Sequence, residues 1–86
     1  MIVKSFYKNQ RDLAVTLNGL VDMYWDNELD EKLLVENINN IFANNVDKIL
    51  KDGQFTKILQ QQCGKKRLEV IEKILAIKAR KRLNNV

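Results

Sequence analysis

From Lys65 to Leu83 the chain reads KKRLEVIEKILAIKARKRL, and this stretch decides the fold. Placed at 100° intervals, Leu68, Val70, Ile71, Ile74, Leu75, Ile77 and Ala79 cover well over half of a helix circumference. Glu69, Lys73 and Arg80 line the polar side, with Ala76 between them. So wide an apolar arc predicts a helix contacted by several others, or one that also buries surface against a partner. Beyond Ala79 the cations Arg80, Lys81 and Arg82 fan around the axis, so the end of this helix is expected to project into solvent.

Upstream, Cys63-Gly64 punctuates the pattern. Phe55, Ile58 and Leu59 mark a short helical segment through Gln62, and Asp52-Gly53 before it is a stop and turn signal. Val46 to Lys51 reads as one or two further turns, open to being continuous with the helix before it. That preceding helix starts after Asp30, which caps free N–H groups, with Glu31 suited to the helix dipole. Leu34, Ile38, Ile41 and Phe42 form its apolar stripe. It weakens at Asn44 and Asn45, both tolerant of the left-handed conformation that ends helices. The opening helix is expected from Phe6 to Trp25, on the spacing of Phe6, Leu13, Leu17, Leu20 and Tyr24. Gly19 within it is read as a point of close helix contact, at a propensity cost of about 1 kcal/mol relative to Ala.

The whole predicts one domain over residues 1–86, an all-α compact bundle of four to five helices with a long C-terminal helix. Pro is absent and Gly occurs three times, which favours helices over a turn-rich β fold. With 86 residues the chain buries roughly 60% of its unfolded surface, enough for modest stability. No run approaches the roughly 18 to 20 apolar residues that span a bilayer, and none has signal-peptide length. No membrane partner is expected. A lone Cys63 builds no internal disulfide, which fits a reducing cytoplasm.

Charge is unevenly divided. Residues 1–45 carry four cations and seven anions, a net −3, whereas residues 46–86 carry eleven cations and four anions, a net +7. A basic half points to an anionic partner, either a phosphate backbone or an acidic protein face. Unlike charges on the two halves also open a route to self-association, although folding one half on the other satisfies them equally. The absence of His, with one Cys, removes the usual catalytic and metal-binding residues. No cofactor, no metal and no enzymatic activity are expected.

Lys65, Lys66 and Arg67 are the sharpest candidates for anion or partner binding. If Gly64 starts the last helix, three cations stand in its first turn, where the dipole is already positive, each costing about 0.3–1 kcal/mol. A bound anion removes that cost and uses the free backbone N–H groups. If the helix instead runs through Gly64, Lys65 and Lys66 pair with Glu69 at helical spacing. Lys78, Arg80, Lys81 and Arg82 form a second basic cluster, suited either to phosphates or simply to the negative end of the dipole.

The stretch is not a phosphate-binding P-loop, which needs Gly where Leu59 stands and Ser or Thr where Lys66 stands. Phe55 to Leu75 also reads as a helix-turn-helix, although Gln60 occupies a position such motifs keep small and buried, and a reading helix needs a polar face. Trp25 is a candidate interface aromatic, and Tyr24 a core residue closing one end of the bundle. Cys63 reads as a partly buried small residue, with a thiolate role open if Lys65 and Lys66 lower its pKa. Glu69 and Glu72 read as salt-bridge residues.

Four stretches carry a family resemblance: Tyr7-Lys8-Asn9-Gln10-Arg11-Asp12-Leu13-Ala14, Tyr24-Trp25, Lys51-Asp52-Gly53-Gln54-Phe55-Thr56, and Gln62-Cys63-Gly64-Lys65-Lys66-Arg67-Leu68-Glu69-Val70. Together they resemble a family of short, functionally unassigned proteins of low-GC Gram-positive bacteria. The resemblance implies a stand-alone bacterial cytosolic domain and supplies no site residue. The function expected is therefore a non-enzymatic interaction module, a regulator or accessory protein, whose basic C-terminal half binds an anionic macromolecule. A protein partner is expected first and nucleic acid second.

Overall fold

The computed structural model describes the backbone of residues 6–84 and the side chains of residues 6–75. Its elements run α1 (Gln10–Trp25), α2 (Glu31–Asn44), α3 (Val46–Ile49), β1 (Leu50–Lys51), β2 (Gln54–Phe55) and α4 (Lys57–Asn84). The architecture is mostly helical, as the periodicity predicts, with one small hairpin that the all-α expectation leaves out.

α1 starts later than Phe6, which is 69% exposed outside the helix. The start is set by Asn9, whose Oδ1 accepts from the Asp12 N–H at 2.8 Å. Its end is set by Asn27 at φ 61. There Glu28 N–H donates to Met23 O at 2.8 Å and Asn27 N–H to Tyr24 O at 3.1 Å, the paired bonds of a Schellman motif. α2 opens on the cap the sequence predicts, Asp30 Oδ1 accepting from Leu33 N–H at 2.8 Å. It closes differently from the expectation. Asn45 is not left-handed but sits at φ −142, and its side chain ends the helix instead.

Asn45 is buried, and its Nδ2 donates to Ile41 O at 2.8 Å while its Oδ1 accepts from Tyr7 N–H at 3.3 Å. Its own carbonyl accepts from Lys48 and Ile49, so α3 is a separate turn rather than a continuation of α2. One amide thereby joins the entering chain, the end of α2 and the start of α3.

Asp52 and Gly53 take φ 54 and 81, the two left-handed positions of a two-residue hairpin loop. They pair Leu50 with Phe55 and Lys51 with Gln54 in an antiparallel ladder. Phe55 therefore belongs to β2, not to the helix that follows. Thr56 N–H then donates to Ile49 O at 3.0 Å, tying the hairpin to the start of α4.

α4 is two helices in line of sequence, separated at Gly64, where φ 78 and ψ 167 leave helical space entirely. Only glycine adopts that region without strain. The first piece buries Leu59 and Cys63, the second Leu68, Ile71 and Ile74. α4 packs chiefly on α1 and also on α2, consistent with a helix contacted by several others. Together with Leu13, Ala14, Leu17, Leu20 and Val21 of α1 and Leu34, Ile38 and Ile41 of α2, these residues form one core. Tyr24 packs against it, as expected for a residue that closes one end. Gly19 does not serve close packing: it is exposed, and a Cβ built on it meets nothing within 4 Å.

Candidate anion-binding surface at the break in the last helix

The break at Gly64 starts a new helix on a residue with no side chain to cap it. Lys65 and Lys66 follow in its first turn, both exposed. Neither forms an ion pair among the described residues, and the pairs with Glu69 that an unbroken helix would favour are absent. Two cations thus stand near the positive end of a helix dipole without an ion pair among the described residues.

Arg67 behaves differently. Its Nε donates to Asp22 Oδ1 at 2.9 Å and its Nη2 to Asp22 Oδ2 at 3.0 Å, a two-point fork across α1 and α4. Nη1 reaches back to the carbonyl of Cys63 at 3.3 Å, bracing the backbone on the other side of Gly64. The bonds from Arg67 hold the Asp22 carboxyl below its ordinary value of 3.8, and the same bonds raise the guanidinium. Both side chains remain about one-third to one-half exposed, so solvent screens the pair. Of the three first-turn cations, then, Arg67 is engaged within the chain and two face outward. No sequence signal marks this pairing, because the partners are 45 residues apart.

A second clasp lies beside it. Asn18 Nδ2 donates to the carbonyl of Gln62 at 2.9 Å, so α1 grips the last turn before the break as well as the first turn after it. Trp25 is 46% exposed at the end of α1, one turn beyond Asp22. Lys51, Lys57 and Lys73 are also exposed and without an ion-pair partner among the described residues. The side chains of Lys78, Arg80, Lys81 and Arg82, with those of Ile77 and Ala79, lie outside the described residues.

Cys63 is 2% exposed and free, and burial pushes its thiol up to about 11, with Arg67 opposing only weakly. The small buried residue is thus the reading the structure supports, and the thiolate role left open beside it is not supported. Lys65 and Lys66 point to solvent, and desolvation of the sulfur governs it. Among the described residues no cluster of three or more His, Cys, Asp or Glu is arranged to hold a metal ion. No described helix is long and apolar enough to cross a membrane.

These features define a small, mostly helical fold with two exposed lysines, Lys65 and Lys66, at a helix break. The chain belongs to a family of conserved hypothetical proteins, whose model matches residues 4–76. That span takes in Trp25, Asp22, Gly64, Lys65, Lys66 and Arg67 and stops before Lys78. No curated protein and no solved structure matches the chain.

Proposed function

We propose that this protein is a non-enzymatic interaction module that binds an anionic macromolecular partner, a protein first, through the basic surface of its C-terminal half. The observation that carries the reading is the exposure of Lys65 and Lys66 at the Gly64 break, with no ion pair to either among the described residues. Cations at such a position cost about 0.3–1 kcal/mol each, a cost that an external anion removes. Arg67 supports the surface from within by fixing the two pieces of α4 against α1. The lone, buried thiol fits a cytoplasmic setting, which belongs to the same proposal.

The test is affinity capture from the native host with the wild-type chain and with Lys65→Glu/Lys66→Glu side by side. A partner retained by the first and lost by the second, with both proteins equally folded by circular dichroism, supports the reading. Identical captured sets from the two proteins remove it. Arg67→Glu is unsuitable, since it breaks the bond to Asp22 and confounds binding with folding.

Direct nucleic-acid binding is the second reading, favoured by the two helical pieces that meet at Gly64. Against it, Glu69 and Glu72 are exposed on the same helix, and the break is a single residue. Titration of random duplex and single-stranded DNA and RNA at two salt concentrations separates the two. A steep loss of affinity with salt, abolished in the double variant, identifies phosphate binding. No retardation at low salt eliminates it.

A further inference from the structure

Three of the five large hydrophobic side chains exposed among the described residues, Val15, Trp25 and Ile58, stand on α1 and α4, the two helices that pack together along the longest seam of the fold. Val15, Asn18, Asp22 and Trp25 follow one another on α1 at three- and four-residue spacing, so they share a face. Across from them, Ile58 stands one turn before Gln62, and Val70 stands one turn after Arg67. The two clasps, Asn18 to Gln62 and Asp22 to Arg67, hold the middle of the seam.

The flanks at the Trp25 end carry opposite charge. On the α1 side Asp26 and Glu28 are exposed just beyond Trp25. On the α4 side Lys66, half-buried Val70 and Lys73 form an i, i+4, i+7 stripe beside Arg67. None of these four charges has an ion-pair partner among the described residues. An exposed Trp between an acidic and a basic edge has the makings of a self-complementary surface. Aromatic anchors carry much of the energy of interfaces, and like charges placed face to face are costly.

We propose that the seam is a self-association surface whose occupant is a second copy of this chain, related by a two-fold axis running along the seam. Rotation about that axis lays Asp26 and Glu28 of each copy over Lys66 and Lys73 of the other and brings the two Trp25 rings side by side. A two-fold axis across the seam would instead stack acid on acid and base on base. Charge complementarity selects the first arrangement, in which every contact is made twice. The two proposals share Lys66, but this one is read on the purified chain with no anionic partner present, so its failure is told apart from the failure of the other.

Sedimentation equilibrium over a wide concentration range, at low and at high salt, tests it. The mass is expected to climb from the 10.1 kDa monomer toward twice that value, more readily at low salt. The emission of the single Trp is expected to shift to the blue over the same range. Lys66→Glu/Lys73→Glu and Asp26→Lys/Glu28→Lys should each be monomeric alone, and their equimolar mixture should dimerise. Trp25→Ser should weaken the wild-type dimer at least tenfold. A monomer at every concentration overturns the proposal, as does association that survives either charge reversal or a mixture that stays monomeric. Should a variant fail to fold, wild-type association insensitive to salt overturns it equally.

Discussion

The opening half and the closing half of this chain solve the ends of their helices in opposite ways. α1 and α2 are closed by their own residues: Asn9 and Asp30 cap the starts, while Asn27 and Asn45 shape the ends. The second piece of α4 begins on Gly64, a residue that can cap nothing, and places Lys65 and Lys66 where the dipole opposes them. Natural sequences tend to be locally consistent, and departures concentrate where a chain does something besides fold. The contrast teaches where to look: the helices of the first half are capped by their own residues, and the break in the second carries exposed lysines without an ion pair among the described residues.

The largest effect expected from breaking this contrast lies in the well-capped half. Asn45→Leu leaves the Tyr7 amide and the Ile41 carbonyl without the bonds seen here, and unfolding in urea should show a loss of about 2 kcal/mol. Little loss would mean that the buried amide is not a structural hub.

Next come the two glycines, whose substitutions should have opposite signs. Gly64→Ala forces a Cβ into a backbone region reserved for glycine and should destabilise by at least about 1 kcal/mol, though by less than Asn45→Leu. Gly19→Ala, in open space within α1, should stabilise by up to about 1 kcal/mol. Equal signs in thermal melts would show that the break is not required.

Smaller still, Lys65→Glu/Lys66→Glu should raise stability by a few tenths of a kcal/mol, because anions suit a helix start. A marked destabilisation would place these lysines among the structural residues and away from a free surface.

The smallest effect belongs to the Asp22–Arg67 bridge, which solvent screens. The folded-state pKa of Asp22 is lowered, so its contribution is fully present above the ordinary value of 3.8 and is lost as pH falls through the depressed folded value. Asp22→Asn should remove that acid-dependent part of the stability, leaving a flatter stability curve below about pH 4. An unchanged acid limb would mean the bridge adds nothing.

How far the sequence could be read depends on which residues are asked. Asp30 announces its cap because the bond runs three residues along the chain. Asp52-Gly53 announces a turn but not the hairpin around it, since strands of two residues leave no periodicity to detect. Phe6 fits the helical spacing of α1 but falls before the cap at Asn9, which periodicity alone does not reveal. Cys63 reads as a small buried residue in both sequence and structure, while the thiolate role suggested by its cationic neighbours finds no support, because its thiol answers to the core around it. Of the candidate site, Lys65, Lys66 and Trp25 are exposed as a surface requires, while Arg67 faces inward to Asp22.

Local rules, then, suffice for the helical class, the capped start of α2, a punctuation near Gly64 that leaves a break open, and the unequal charge of the two halves, because each is read from composition or from residues within a turn or two of one another. Which cations remain free, whether Gly19 touches a neighbour, and what Asn45 binds were settled by packing. Those outcomes depend on groups as far as 38 and 45 residues away, brought within bonding distance only when the apolar stripes of α1, α2 and α4 are buried together.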